Sequence, residues 1–128
     1  MAYEGAQIKL GNLVAAADLS AKQFHFVKLA SATTVNVCSA ITDKPIGILQ
    51  NTPTSGQSAE IAIFGISKVV ADGTLAAGNI IGTSSDSQAD AITSGTDTTV
   101  FVMGQAIEAA AAGNIVTMFL NPSNARCA

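Results

Sequence analysis

The side chains that could do chemistry in this chain are few and scattered. The only histidine, His25, sits in the run FHF between Phe24 and Phe26. In a strand those two phenylalanines share one face and His25 points the other way, toward solvent or an interface. A general base needs an orienting partner and a nearby nucleophile. No G-x-S-x-G element supplies one, so His25 is not expected to be a catalyst. Cys38 lies in the apolar stretch VNVCSAI and reads as a small buried hydrophobe. A thiol in that setting lacks the cationic neighbours that activate a nucleophile, although the sequence leaves a Cys38–His25 contact in space open. Cys127 is next to last and expected to be exposed. The two cysteines fit no metal-ligand spacing, and no disulfide between them is expected.

The carboxylates are Glu4, Asp18, Asp43, Glu60, Asp72, Asp86, Asp90, Asp97 and Glu108. Most of the aspartates fall in turn-rich stretches, where Asp bonds local backbone. DSQAD (86–90) hints at calcium but lacks the D-x-D-x-D-G order and the closing Glu of a calcium loop. Glu60 and Glu108 could pair as glycosidase carboxylates, yet the chain has no Trp to stack a sugar. Solvated strand-edge charge is the expected role of both. The expectation is therefore of no catalytic, cofactor-binding or metal-binding residues, and of a protein that is not an enzyme.

The elements that would position these residues are strands. The hydrophobic period is close to two in QFHFVKL (23–29), TVNVCSAI, PIGILQ, EIAIFGISKVV (60–70), TTVFVMGQAI and IVTMFL. EIAIFGISKVV puts Ile61 and Ile63 on one face and is expected to break at Gly65. Turn clusters separate the runs: TDKP, NTPTSGQ, ADGTLAAGN, SSDSQAD and TSGTD. QAIEAAAAG (105–113) carries strong helix formers, but it is short, uncapped and flanked by β-rich runs, so it reads as strand and then turn. Many short strands with Gly-rich turns imply an all-β fold, a compact barrel-like or sandwich-like single domain. Residues 1–17, set off by GNL, read as an extended N-terminal arm ahead of an all-β domain over 18–128.

One phrase is written twice. LAAGNII (75–81) returns as AAAGNIV (110–116), with weaker echoes in LSAKQFHFV (19–27) and TSGQSAEIAI (54–63). Each runs from small residues through Gly or Lys and an amide residue into β-branched or aromatic residues. Gly supplies a positive φ and the amide bonds nearby backbone as a strand begins. No G-K-[ST] follows, so the phrase is no phosphate loop. It reads as architecture.

Composition narrows the function further. Of the 128 residues, 48% are apolar and only 12% charged, which excludes a disordered chain and favours a surface that meets other proteins. The net charge of −3 and six singly scattered basic residues argue against nucleic-acid binding. The start, MAYEGAQIKLGN, shows no secretory leader, and no apolar run approaches a membrane span.

The order IGILQNTPTSGQSAEIAIFGISKVVADGTLAAGNIIG, then VMGQAIEAAAAGNIVTMFL, resembles the small capsid decoration (cement) proteins of tailed bacteriophages. The likeness covers about Lys44 to Leu120 and rests on small residues, with Asn79 and Asn114 where that family commonly has Asp. The resemblance implies a barrel-like domain on the outside of the virion capsid, after synthesis in the host cytoplasm. It implies the major capsid protein as partner, and homotrimers at three-fold and quasi-three-fold sites that stabilise the head. On that reading the arm contacts the capsid through Tyr3, Glu4, Ile8 and Leu10, and Phe24 and Phe26 make oligomer or capsid contacts. A head-fibre or receptor-binding module is the alternative, with loops such as SSDSQAD carrying recognition. A ligand-binding barrel would require convergent polar groups that the sequence does not show.

Overall fold

Short runs of β-branched and aliphatic residues separated by Gly-rich turns do form strands, and no helix occurs among the described residues. The computed structural model describes residues 2–122, 125 and 126. In chain order the strands are β1 (Gln7–Ala15), β2 (Phe26–Leu29), β3 (Thr34–Val37), β4 (Gly47–Leu49), β5 (Ser58–Val70), β6 (Ile80–Thr83), β7 (Ala89–Ala91), β8 (Gly104–Ala106) and β9 (Ile115–Leu120). They form one sheet in the order β1-β3-β2-β4-β5-β9-β8-β6-β7, and an extra β1–β5 pairing closes its first half. The second half curls back as well, because Ala89 at the start of β7 bridges Ala71 just past β5. The 13-residue β5 is thus the wall common to two rings.

Each ring has its own core. Leu19, Val27, Val35, Leu49, Ala59 and Ile61 fill the first. Phe26, Ile48, Val69, Leu75, Ile81, Met103, Val116, Met118 and Leu120 fill the second. Strand β4 is buried on both faces, which is why GIL carries no polar alternation. Its Gly47 is obligatory for packing: a Cβ there would strike the Ala62 carbonyl and lie 2.8 Å from Ile61 Cγ2.

Three local expectations need correction. Strand β5 runs through Gly65 without breaking; the glycine adopts φ 115° and lets the Ala6 carbonyl approach its backbone. The FHF strand begins at Phe26, because residues 23 and 24 turn and Phe24 has φ 65°. Phe24 and Phe26 therefore do not share a strand face. The SSDSQAD stretch, expected as turn alone, ends in strand β7.

Within the stretch expected as an extended arm, 1–17, residues Gln7–Ala15 form a strand of the first ring. Strand β1 pairs antiparallel with β5 from Gln7↔Gly65 to Val14↔Ser58, and parallel with β3 at Val14 and Ala15. The alternation in QIKL is short and GN interrupts it, and most of β1 is exposed.

The repeated phrase finds its reason here. Its two copies bond to each other reciprocally: Leu75 N–H donates to Ala110 O at 2.8 Å, and Ala110 N–H to Leu75 O at 3.1 Å. Gly78 donates to Ala106 O, and Gly113 to Ala71 O, both at 2.7 Å. Ala106 donates to Asn79 O and Ala71 to Asn114 O, at 2.9 and 2.8 Å. Exchanging the copies turns each bond into its mate, the pattern of a local two-fold axis. Each following strand then pairs with the strand that precedes the other copy: Ile80↔Gln105 and Ile115↔Val70. The phrase interlocks two hairpin halves.

Candidate functional site

His25 is the first residue to place, and it faces inward. It is 7% exposed, and its Nδ1 lies 2.8 Å from Ser87 Oγ and 3.3 Å from the Asp86 carbonyl oxygen. This corrects the expectation of a solvent-facing or interface side chain: once Phe24 turns, the alternation that pointed His25 outward no longer applies. Burial, aided by the nearby Lys22 charge, pushes its pKa below the usual imidazole value. Ser87 has φ 62°, its hydroxyl also bonds the Asp86 carbonyl, and its N–H and C=O sit in the same turn. The Phe26 N–H donates to Ser87 O at 2.7 Å. A serine at hydrogen-bond distance from an imidazole has nucleophile–base spacing, but Ser87 is only 1% exposed. Its hydroxyl is closed to solvent, and the contact ties the 84–88 turn to the start of β2.

Cys38 is a free, buried thiol, and burial followed by the Asp43 charge pushes its pKa up to about 12. Its hydrogen-bond partner is Thr83, while His25 bonds Ser87, so the two do not form a nucleophile pair. Cys127 lies outside the described residues. The carboxylates are dispersed. Glu60 pairs with Lys9 at 2.9 Å, whereas Glu108 accepts the Thr117 N–H at 3.1 Å. Asp90 on β7 has its pKa raised by burial and then by Asp72. Among the described residues no three His, Cys, Asp or Glu side chains converge as metal ligands.

What the fold does assemble is apolar surface. Ile8 on β1 stands opposite Phe64 on β5, and both are exposed. The Phe64 ring meets Phe119 of β9 edge-on, with centroids 5.7 Å apart. Phe119 then lines an open groove of about 290 Å³ with Ile80, Val102 and Gln105. An apolar band thus crosses β1, β5, β9, β8 and β6, and such bands mark contact surfaces. Phe64, Phe119, Val102 and Ile80 were not singled out from the sequence. Phe64 follows IAI out of phase, and that misfit with alternation is the one signal the sequence offered.

The residues anticipated for contact separate into two groups. Tyr3 is 51% exposed while its backbone N–H and C=O both bond the Thr117 hydroxyl, which straps residues 2–6 over β9. Glu4 is exposed and accepts the Gln7 amide at 3.1 Å. Ile8 and Leu10 are also open to a partner. Phe24 is half-buried, with Lys68 Nζ 5.7 Å from its ring centre. Phe26 is fully buried in the second core, which removes it as a contact residue; it packs the wall common to both rings.

No protein-family model matches this chain, and no curated protein sequence matches it. Among solved structures, the N base of the head fibre gp8.5 of bacteriophage phi29 superposes with a TM-score of 0.64. The superposition covers 91% of this chain and 95% of that one, at 18% identity. The likeness is one of fold. It extends over nearly the whole of both chains and is not a fragment match.

Proposed function

We propose that this protein is a structural component of a bacteriophage virion, bound to the outer surface of the assembled head. The observation that carries this reading is the near full-length fold likeness to a head-fibre base. The decoration-protein resemblance of Lys44–Leu120 supports it from an independent direction. In its finer form the protein is a cement protein. Trimers seat on three-fold and quasi-three-fold sites of the major capsid protein, and the Ile8–Phe64–Phe119 band supplies desolvated contact area. Three linked copies bind a symmetric site with avidity beyond that of one copy. Binding the assembled lattice alone stabilises it by mass action, with no reaction and no cofactor. Ile8 belongs to the band, and it and the exposed Tyr3 and Leu10 are the first residues of the 1–17 stretch to test.

A second reading has a specific observation in its favour: the neighbour itself is the base of a head fibre. This chain would then anchor a projecting fibre and occur in fewer copies. Quantitative mass spectrometry of purified virions decides between them. A high fixed ratio to the major capsid protein supports cement, and a low ratio supports a fibre base. Absence from the virion refutes both.

A further inference from the structure

The described cations are not equally satisfied. Lys9 and Lys28 pair with Glu60 and Asp43. Lys22, Lys44, Lys68 and Arg126 have no carboxylate within ion-pair distance among the described residues, and two of them, Lys44 and Arg126, converge on one ring. Lys44 Nζ lies 5.9 Å and Arg126 Cζ 5.2 Å from the centre of Phe101, which is half-buried, and both cations are exposed. Arg126 is held there by a bridge to Phe101 and by the Val102 N–H bonding Ala125 O at 2.9 Å. Two like charges on one ring repel each other, and in a chain of net charge −3 they form a local exception.

Beside them runs an open groove of about 430 Å³ lined by Lys28, Leu29, Lys44 and Ile46. Leu29 is 53% exposed on its wall. Strand β4 pairs with β2 at Phe26 and Val27, and just before it the Ile46 N–H donates to Val27 O at 2.8 Å. The next backbone opposite Leu29 is that of Pro45, which has no N–H to give. Beyond that pairing the exposed Leu29 side chain faces the groove beside Pro45 and Ile46.

We propose that this face docks an extended protein segment of alternating acidic and aliphatic residues. Its carboxylates meet Lys44 and Arg126, and its aliphatic side chains cover Leu29 and Ile46. Charge complementarity selects this occupant: the rest of the chain is net acidic, and Lys44 and Arg126 set two cations on one ring beside an apolar groove. Two free cations release too few counterions for a nucleic acid. The groove chemistry stands on these residues alone; that the segment belongs to the phage head or fibre rests on the proposed function.

The test is an NMR titration of the ¹⁵N-labelled full chain with a Glu-Leu repeat hexapeptide, its Gln-Leu counterpart and an oligonucleotide of equal charge. The acidic peptide should shift amides at residues 28–29, 44–46, 101–102 and 126, less so at high salt. The Lys44→Glu/Arg126→Glu variant should bind it at least about tenfold more weakly. The Lys22→Glu/Lys68→Glu variant, with the same net charge, should bind as wild type does. Equal binding of the Gln-Leu peptide or the oligonucleotide, shifts confined to other surfaces, or full affinity of the Lys44/Arg126 variant would each overturn the proposal. Heads of the encoding phage stripped of this protein separate the two ideas. If wild type and the Lys44/Arg126 variant load equally, this face is not the contact and the head reading stands. If wild type does not load, the head reading fails while the peptide result still decides the groove.

Discussion

Three glycines at positive φ should respond very differently to one added methyl group. Gly78 and Gly113 hold equivalent places in the two interlocked phrases, with φ of 89° and 83°, and a Cβ on either meets nothing within 4 Å. Alanine there faces only left-handed backbone strain, about 1–2 kcal/mol. That strain is partly offset by about 0.4–1 kcal/mol from a less flexible unfolded chain. The net cost is about 1 kcal/mol at each site, equal because the sites are related by the local two-fold. Gly104 has φ 145° and lies where β8 is pressed between β6 and β9. Its Cβ would overlap the Phe119 carbonyl oxygen and lie 3.0 Å from Phe119 C and 3.1 Å from Met118 Cε. Backbone cannot yield as a side chain can, so overpacking adds about 1–3 kcal/mol to the strain, or about 4 kcal/mol in all.

For 128 residues at about 2.1 cal/mol/K each, the unfolding entropy is about 0.27 kcal/mol/K. Gly78→Ala and Gly113→Ala should then each lower Tm by about 4 °C, and Gly104→Ala by about 15 °C. Calorimetry with parallel urea titrations reads both quantities. A Gly104→Ala variant no less stable than Gly78→Ala would refute the close approach of β8 to β9. Clearly unequal effects at Gly78 and Gly113 would refute the pseudo-symmetry.

Two further outcomes follow from the site residues. His25 has a folded pKa below its unfolded value of about 6.5. The unfolded chain therefore binds the extra proton first, and this contribution to stability is full above pH 6.5 and lost as pH falls through the folded value. His25→Asn should flatten the slope of urea midpoint against pH just below 6.5, and an unchanged slope would assign that slope to other groups. Phe26→Ala should cost about 3–5 kcal/mol because the ring is fully buried, whereas Phe64→Ala should cost under about 1 kcal/mol and instead weaken assembly or head binding. Equal destabilisation by the two, read by urea denaturation, would contradict the division between core and contact surface.

The strand character of PIGILQ, TVNV, IVTMFL and the run after LAAGN was legible because their side chains carry the period of a half-buried or fully buried strand. The duplicated AGN phrase was also legible as a strand entry. What the sequence could not convey is that its copies grip each other, since reciprocal backbone bonds involve no distinctive side chain. β1 was missed although QIKL alternates polar and apolar residues: the alternation is brief, GN interrupts it, and its ladder to β5 is made of main-chain groups. FHF misled in the opposite sense. Its alternation is strand-like, but the left-handed turn at Phe24 rotates His25 into the core and leaves Phe26 behind the sheet.

The sequence by itself determined an all-β chain, poor in charge, because composition and period are local properties that each segment carries alone. The tertiary structure decided which apolar residues remain outside. Phe64, Phe119 and Ile80 lie 55 and 39 residues apart along the chain (119 − 64 and 119 − 80) and join into one band only when β5, β9, β8 and β6 close side by side. The same closure brings Lys44 and Arg126 to a single ring. Surfaces of this kind are sums over distant strands, and register alone places their members together.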